Sequence, residues 1–316
     1  MLCRVAERAY WLGRYIERVE NLARLVKTHS QLMYDLPSSV SLSWSELIEV
    51  SGNTLYFESK YSVPNEESCC KALLVDSANP SSLLASLAAA RENIRVTRDI
   101  LPREAWIYIN DLYLAVKDQQ EAFCKRTSRT DLLNKVIQAC QAWNGMFEGT
   151  MSRNQAYRFV KLGMALERAD MTSRIVDDGV VIISRALNDG LDAHPYAGIL
   201  WVNLLKSVSA SFMYRQTLQT EISGEQVVKF LLSDADFSRS LMFNCQLMKT
   251  HMGEDVSPVL SDAMMQLSDK ISAVTVDGAG SNELHTALDE IQLNLAELNN
   301  LFYDEWFDPI WNKQTA

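Results

Sequence analysis

Apolar residues recur along this chain at alternating spacings of four and three, the period of a helix rather than a strand. Val5, Ala9, Leu12, Ile16, Val19, Ala23 and Val26 form one such stripe. At ~100° per residue it lies along one side of a helix and predicts a packed seam. Beside it runs a second lane, Gly13, Glu17, Glu20 and Arg24. The pattern returns once, with Phe159, Leu162, Leu166, Ala169, Ser173 and Val176 as the seam and Gly163, Glu167, Asp170 and Arg174 as the lane. Aligning Gly13 with Gly163 also superposes Glu17 on Glu167, Arg18 on Arg168, Glu20 on Asp170 and Arg24 on Arg174, so the shared core reads LGxxxER-x-[ED]-xxx-R. That echo predicts a duplicated helical unit. A glycine inside a helix costs about 1 kcal/mol relative to alanine, so two at matched positions predict that another backbone comes close there.

The rest of the chain is read the same way. A first helix runs from about Cys3 into the low thirties and stops before Pro37. Ser43-x-x-Glu46 resembles a capping box opening a short helix, and TLYFESKYSV, with no neighbouring strand to pair with, is expected to be a short helix or ordered loop. Helices follow at 67–75, from Ser82 to a stop before Pro102, and from Pro102 to Glu121. Lys125–Arg129 reads as a solvated basic turn, followed by a helix from Asp131 to about Met151 and by the second copy from Asn154. That second helix continues past Val176 through DDGVVIISRAL unless Gly179 bends or stops it, and NDGLDAHPY at 188–196 is the clearest break, with His194 in a loop. Beyond it, Trp201–Leu218, the capped segment ISGEQVVKFLLS, residues 236–253, a segment opened by Ser257-Pro258, and Glu283–Trp306 are helical, with GAGSN at 278–282 as a joint. The expected fold is all-α: a multi-helix bundle forming a single domain over 1–316, with two pseudo-repeated halves, 1–150 and 151–316.

Composition narrows the function classes. With 316 residues, 47% of them apolar, the chain supports a sizeable core. A net charge of -10 and a pI near 5.0 argue against a nucleic-acid or anionic-membrane surface. Arg4, Glu7 and Arg8 interrupt the apolar run a secretory signal needs, and no stretch approaches the ~20 apolar residues of a membrane span. A soluble cytoplasmic protein is expected. The six cysteines include no CxxC pair and are read as reduced thiols, with Cys69 and Cys70 as part of a helix.

Candidate chemistry lies in the lane. Glu17-x-x-Glu20 and Glu167-x-x-Asp170 offer carboxylates one turn apart, but His29, His194, His251 and His285 each lack a glutamate three residues before them, which a carboxylate-bridged di-iron site requires. There is no GxSxG, HExxH or P-loop. Neither metal nor cofactor is expected, although oxygen ligands alone could hold a hard cation. Two readings stay open. In one, the lane is an ion-pair network that sets the register of the two copies. In the other, Glu17, Arg18, Glu20, Arg24, Glu167, Arg168, Asp170 and Arg174 line a polar cleft suited to a carboxylate or phosphate ligand.

Several segments resemble one family. Cys3–Arg24, CRVAERAYWLGRYIERVENLAR, is similar to SRVAERLYWLGRYLERAENxAR, which opens members of the alpha-E domain family of bacterial proteins. NPSSLLASLAAARENIRVTRD at Asn79–Asp99 resembles the family's NPxS followed by ARENAR, with Ile94 in place of an alanine. LGMALERADMTSRIVDD, WVNLLKSVSASFMYR and VVKFLLSDADFSRSL continue the likeness in order along the chain. DADFSRS stands where the family has DPxFPRS, which implies a less rigid loop. The resemblance implies an all-helical domain of unassigned activity whose genes lie beside, or are fused to, ATP-grasp-type amide ligases and transglutaminase-like proteins. It implies an accessory or partner in a pathway forming or trimming peptide-like amides, and it adds Arg91, Glu92 and Arg95 to the lane residues as positions of interest. An enzyme of amide chemistry using the carboxylates and arginines directly, with or without a divalent cation, is the alternative. Self-association is a third possibility.

Overall fold

In the computed structural model, which describes residues 1–36, 42–188, 194–219, 221–274 and 282–308, helix α1 (Cys3–Asp35) and helix α9 (Gln155–Asn188) lie side by side at the centre. They run in the same direction, since contacts advance together along both, from Met1 with Gln155, through Tyr10 with Gly163, to Arg18 with Glu167. Around them pack α2 (Ser45–Val50), α3 (Thr54–Lys60), α4 (Glu66–Cys70, continued by one π-helical turn, Lys71–Val75), α5 (Leu83–Val96), α6 (Arg103–Asp118), α7 (Gln120–Cys124) and α8 (Arg126–Thr150). After α9 come α10 (His194–Ser207), α11 (Ser211–Leu218), α12 (Gly224–Ser233), α13 (Leu241–Met252), α14 (Pro258–Ala273) and α15 (Asn282–Trp306). Among the described residues there is no strand, so the all-α expectation holds.

Two apolar cores share the central pair. Ala9, Leu12, Ile16, Val160 and Met164 face a core closed by α5, α6 and α8, built around the stacked Trp143 and Phe147. Val19, Leu22, Ala23, Val26, Leu166 and Ile175 face the larger one, which reaches α10, α13 and α15. Both central helices are therefore buried well beyond a single stripe, and the polar lane goes into the interior with them.

Helix ends follow from local chemistry. Leu36 is held extended (φ -91°, ψ 141°), the conformation its following proline favours, and α1 stops there. Ser82, Ser223, Ser240 and Ser257 each accept a hydrogen bond from a backbone N–H of the first turn of the helix they open.

Four expectations need correction. The basic segment at 125–129 is not a solvated turn. The helix begins at Arg126, and Arg129, 2% exposed, donates to the carbonyls of Phe123 and Cys124 and to Glu66, supplying acceptors that a buried guanidinium needs. Residues 236–240 do not start the helix expected over 236–253, which begins at Leu241; they belong to a turn in which Asp234 accepts from the backbone N–H groups of Asp236 and Phe237. These bonds supply order where the family's prolines are missing. The stretch Trp201–Leu218 is two helices, broken at Ser209 with φ 56°. His194 opens α10 instead of sitting in a loop. Of the two outcomes open for α9, continuation holds, and the helix passes straight through Gly179. A Cβ there would lie 2.2 Å from Leu204 Cδ1, so the glycine makes room for α10 rather than ending α9. Most of the break at 188–196 and of the joint at 278–282 lies outside the described residues. Cys69 and Cys70 are buried within α4, as expected.

Candidate functional site

The lane lies at the α1–α9 contact, and its glycines determine how close that contact is. A Cβ on Gly13 would stand 2.1 Å from the Val160 carbonyl oxygen, and one on Gly163 would stand 2.1 Å from the Tyr10 carbonyl oxygen. Backbone meets backbone in both directions, as the matched glycines predicted. One turn further along, the same approach brings each glutamate within reach of the opposite helix.

Glu17 and Glu167 are 0% and 2% exposed, and arginines fill their oxygens. Arg168 grips Glu17 with two parallel bonds, Nε to Oε1 at 2.9 Å and Nη2 to Oε2 at 2.7 Å. Arg239, from the turn before α13, adds Nη1 to Oε1 at 3.0 Å. Reciprocally, Arg18 grips Glu167 at 2.6 and 3.0 Å, and Arg14 Nε adds 2.7 Å. Bidentate guanidinium–carboxylate pairs of this length are among the stronger charge-assisted hydrogen bonds. Glu20 Oε1 is shared by Arg24 (2.6 Å) and Arg239 (2.8 Å), while Arg174 holds Asp170 at 3.1 Å in a partly buried pair. Arg14 continues outward to Asn299 of α15, which also accepts from the Tyr10 hydroxyl. Six arginines thus face four carboxylates, a local positive surplus in an acidic chain.

The electrostatics match this geometry. Burial works to raise the carboxyl of Glu17, but Arg168 and Arg239 outweigh it and hold it at about 2. Burial likewise opposes, and Arg18 and Arg14 overcome, at Glu167, also held at about 2. Such depressed values mean both groups stay ionised. Further along α9, burial and then the charges of Asp177 and Glu49 push Asp178 up to about 7. The two effects have opposite sign in pH. The glutamates contribute stability above their ordinary value of 4.5 and lose it as pH falls toward 2. Asp178 contributes below its ordinary 3.8 and loses that contribution as pH rises through 7. Urea midpoints are therefore expected to fall steeply on acidification below pH ~4.5. Asp178→Asn is expected to flatten the decline on the neutral side. A midpoint unchanged between pH ~4.5 and ~2 would contradict the assignment.

Comparison with known proteins fits this geometry. The Alpha-E family, described as a predicted alpha-helical domain with a conserved ER motif, matches residues 1–307. The chain belongs to the Alpha-E family. Glu17-Arg18 and Glu167-Arg168 are the ER pairs that align between the alpha-E chain's echoed segments, whereas Glu7-Arg8 has no echo. Uncharacterised proteins of Mycobacterium bovis and Mycobacterium tuberculosis are 21% identical over 270 residues, covering 79% of this chain. The match spans only 29% of the length of those relatives. No solved structure matches it.

The structure gathers eight of the expected positions of the alpha-E chain at the helix contact: Glu17, Arg18, Glu20, Arg24, Glu167, Arg168, Asp170 and Arg174. The other three do not join them. Glu92 and Arg95 pair with each other on the exposed side of α5, and Arg91 bonds Asn110 and lies over Trp106 and Tyr113 of α6. Two members escaped the sequence reading. Arg14 could have been found one turn before Arg18 on the same face, but its counterpart in the echo is Met164, so matching the copies hides it. Arg239 comes from a turn whose only sequence signal is its place in the family-like segment DADFSRS.

Among the described residues, Asp177, His285 and Asp289 also offer one ligand atom each within 4.8 Å of one another. In place, both imidazole nitrogens are engaged, Nδ1 with Asp177 at 2.6 Å and Nε2 facing Asp289 at 3.6 Å, so the trio acts as an ion-pair bridge from α9 to α15. No helix of the described residues is long and apolar enough to cross a membrane.

Proposed function

We propose that this alpha-E chain is a non-catalytic helical partner of an ATP-grasp-type amide or peptide ligase system, which also involves a transglutaminase-like protein. The observation that carries the non-catalytic part is the saturation of the lane. Glu17 and Glu167 are each buried and held by two guanidiniums. A carboxylate held at about 2 is a weak general base and is never a proton donor near neutrality. The lane's work is then to fix how α1 and α9 sit together, while an outer surface meets the partner. That saturation weighs for the partner reading over the alternative of an enzyme using these carboxylates and arginines directly.

The partner's identity rests on the family resemblance. The curated relatives support a modular role, because the matching stretch is 29% of much longer proteins and so sits beside other segments in one chain. We also read residues 1–150 and 151–316 as two halves of a duplicated unit within one domain. An offset of 150 carries the Gly13–Val160 contact onto the Gly163–Tyr10 contact and the Glu17–Arg168 pair onto the Glu167–Arg18 pair. The site of action on this reading is the cytoplasm.

Co-expression with an ATP-grasp-type ligase encoded beside the chain tests the reading. The two are expected to co-purify, and amide formation is expected to fall when the chain is left out. Absence of association, together with a ligase equally active alone, would sink the proposal.

A further inference from the structure

Helix α15 meets α9 through a small set of polar side chains outside the lane. His285, Asp289 and Gln292 stand at i, i+4 and i+7 on α15, which puts all three on one face. Opposite them is Asp177 of α9, whose side chain is 9% exposed. Its Oδ1 lies 2.6 Å from His285 Nδ1, and Gln292 Nε2 donates to its Oδ2 at 3.3 Å, so both carboxylate oxygens are held. A carboxylate accepts, so Nδ1 of the neutral ring carries the proton and the lone pair is left on Nε2. That nitrogen faces Asp289 Oδ2 at 3.6 Å, beyond hydrogen-bond length.

The 3.6 Å gap has a chemical meaning of its own. Zinc bonds to imidazole nitrogen and carboxylate oxygen are about 2.0–2.2 Å long, so at a tetrahedral angle the two ligand atoms stand roughly 3.4 Å apart. Nε2 and Oδ2 are already close to that separation. Their residues also have the one-turn spacing by which the two histidines of a zinc-binding HExxH helix take one ion. On the far side of the ring, a carboxylate on Nδ1–H is the partner that metal-ligating histidines ordinarily have, because it fixes the tautomer and orientation and raises the basicity of the ligand. The His285 and Asp289 side chains are 50% and 55% exposed, which leaves room for water to complete the coordination. Asp178 and Glu49 add negative charge beside Asp177, with Arg174 as the opposing charge, and this balance favours a cation.

We infer that His285 Nε2 and Asp289 Oδ2 form a zinc site on α15, with Asp177 of α9 as its positioning residue and water in the remaining coordination positions. The ion-pair bridge is the form the trio takes with a proton on Nε2, and the metal ion replaces that proton. Zinc suits the donor pair better than magnesium, which prefers an all-oxygen octahedral set. The site does not depend on the ligase reading.

Calorimetric titration of the whole chain, freed of metal by a chelator and dialysed, with zinc chloride in excess magnesium tests the site. One equivalent of zinc is expected to bind. His285→Ala and Asp289→Ala, both at half-exposed positions, should abolish that equivalent. Asp177→Asn should weaken it by about 10–100-fold. Glu290→Gln, which removes the same charge from α15 at a residue that pairs with Lys270, should leave it unchanged. Nitrogen resonances of His285 report the positioning role directly, since zinc should shift Nε2 while Nδ1 keeps its proton. Cobalt in place of zinc should give a spectrum without thiolate charge-transfer bands. The inference is overturned if no equivalent binds, if it survives in His285→Ala or Asp289→Ala, if Glu290→Gln loses it equally, or if cobalt shows thiolate bands. Unchanged affinity in Asp177→Asn, or metal on Nδ1, would overturn the part given to Asp177.

Discussion

Gly163→Ala is expected to destabilise the alpha-E chain by about 3 kcal/mol or more, the upper end of overpacking costs. In an ordinary helix interior the same change would stabilise by about 0.5–1 kcal/mol, because alanine loses less backbone entropy. What reverses the sign is the atom that the new Cβ meets. It would lie 2.1 Å from the Tyr10 carbonyl oxygen and 3.0 Å from its carbon, both part of the α1 backbone. No rotamer change relieves that contact, so α1 must withdraw, and withdrawal stretches the Arg18–Glu167 and Arg168–Glu17 pairs one turn away. Gly13→Ala meets Val160 in the same way. The double variant should cost less than the sum, because helices parted by one Cβ already have room for the other. Gly145→Ala in α8 is the internal control, with nothing within 4 Å of the added carbon. It should be neutral or stabilising. Urea midpoints at constant slope measure all four, and a Gly163→Ala protein at least as stable as the native chain would refute the close-contact account.

The glycine pair shows why this much of the site was legible. Two helix-interior glycines at matched positions had no local reason to be there, and sequence alone pointed to a second backbone. The glutamates and arginines of the echoed segments could be placed on one lane by counting residues, because helical periodicity is a local property. Whether that lane would be wet or dry depended on what else came near. Arg239 approaches Glu17 from more than two hundred residues away, on a turn with no periodicity to read. The same limit explains the error at Arg129. A run of basic residues after a helix is ordinarily solvated, and only the tertiary placement of Glu66 and of two free carbonyls from α7 makes a buried arginine acceptable there. His29 was visible as a lone histidine on α1, but the burial of its Nε2 without a partner is a product of α2 and α10 closing around it. Helix identity was thus carried locally, and polar satisfaction was carried by contacts between distant segments.

Glu167→Gln is expected to cost about 3–5 kcal/mol, the penalty for breaking a buried ion pair by removing one partner. The magnitude comes from what is left behind. Arg14 and Arg18 would both lose their carboxylate at a buried site where water reaches them only in part, and the amide would turn N–H donors toward cations. The cluster's existing surplus of positive charge makes this worse, because six arginines would face three carboxylates. Glu17→Gln should behave alike through Arg168 and Arg239. Glu92→Gln, in a pair whose side chains are about half exposed, should leave the urea midpoint unchanged. A second substitution separates charge from shape. If uncompensated charge is the source of the loss, Arg14→Met in the Glu167→Gln background should restore part of the stability, although Arg14→Met alone destabilises. Equal or lower stability of the double variant would instead assign the cost to packing around the glutamate. Recovery would show that the ER pairs act as a coupled set whose net worth lies in fixing the helix register, in keeping with buried ion pairs that can be exchanged together but not broken singly.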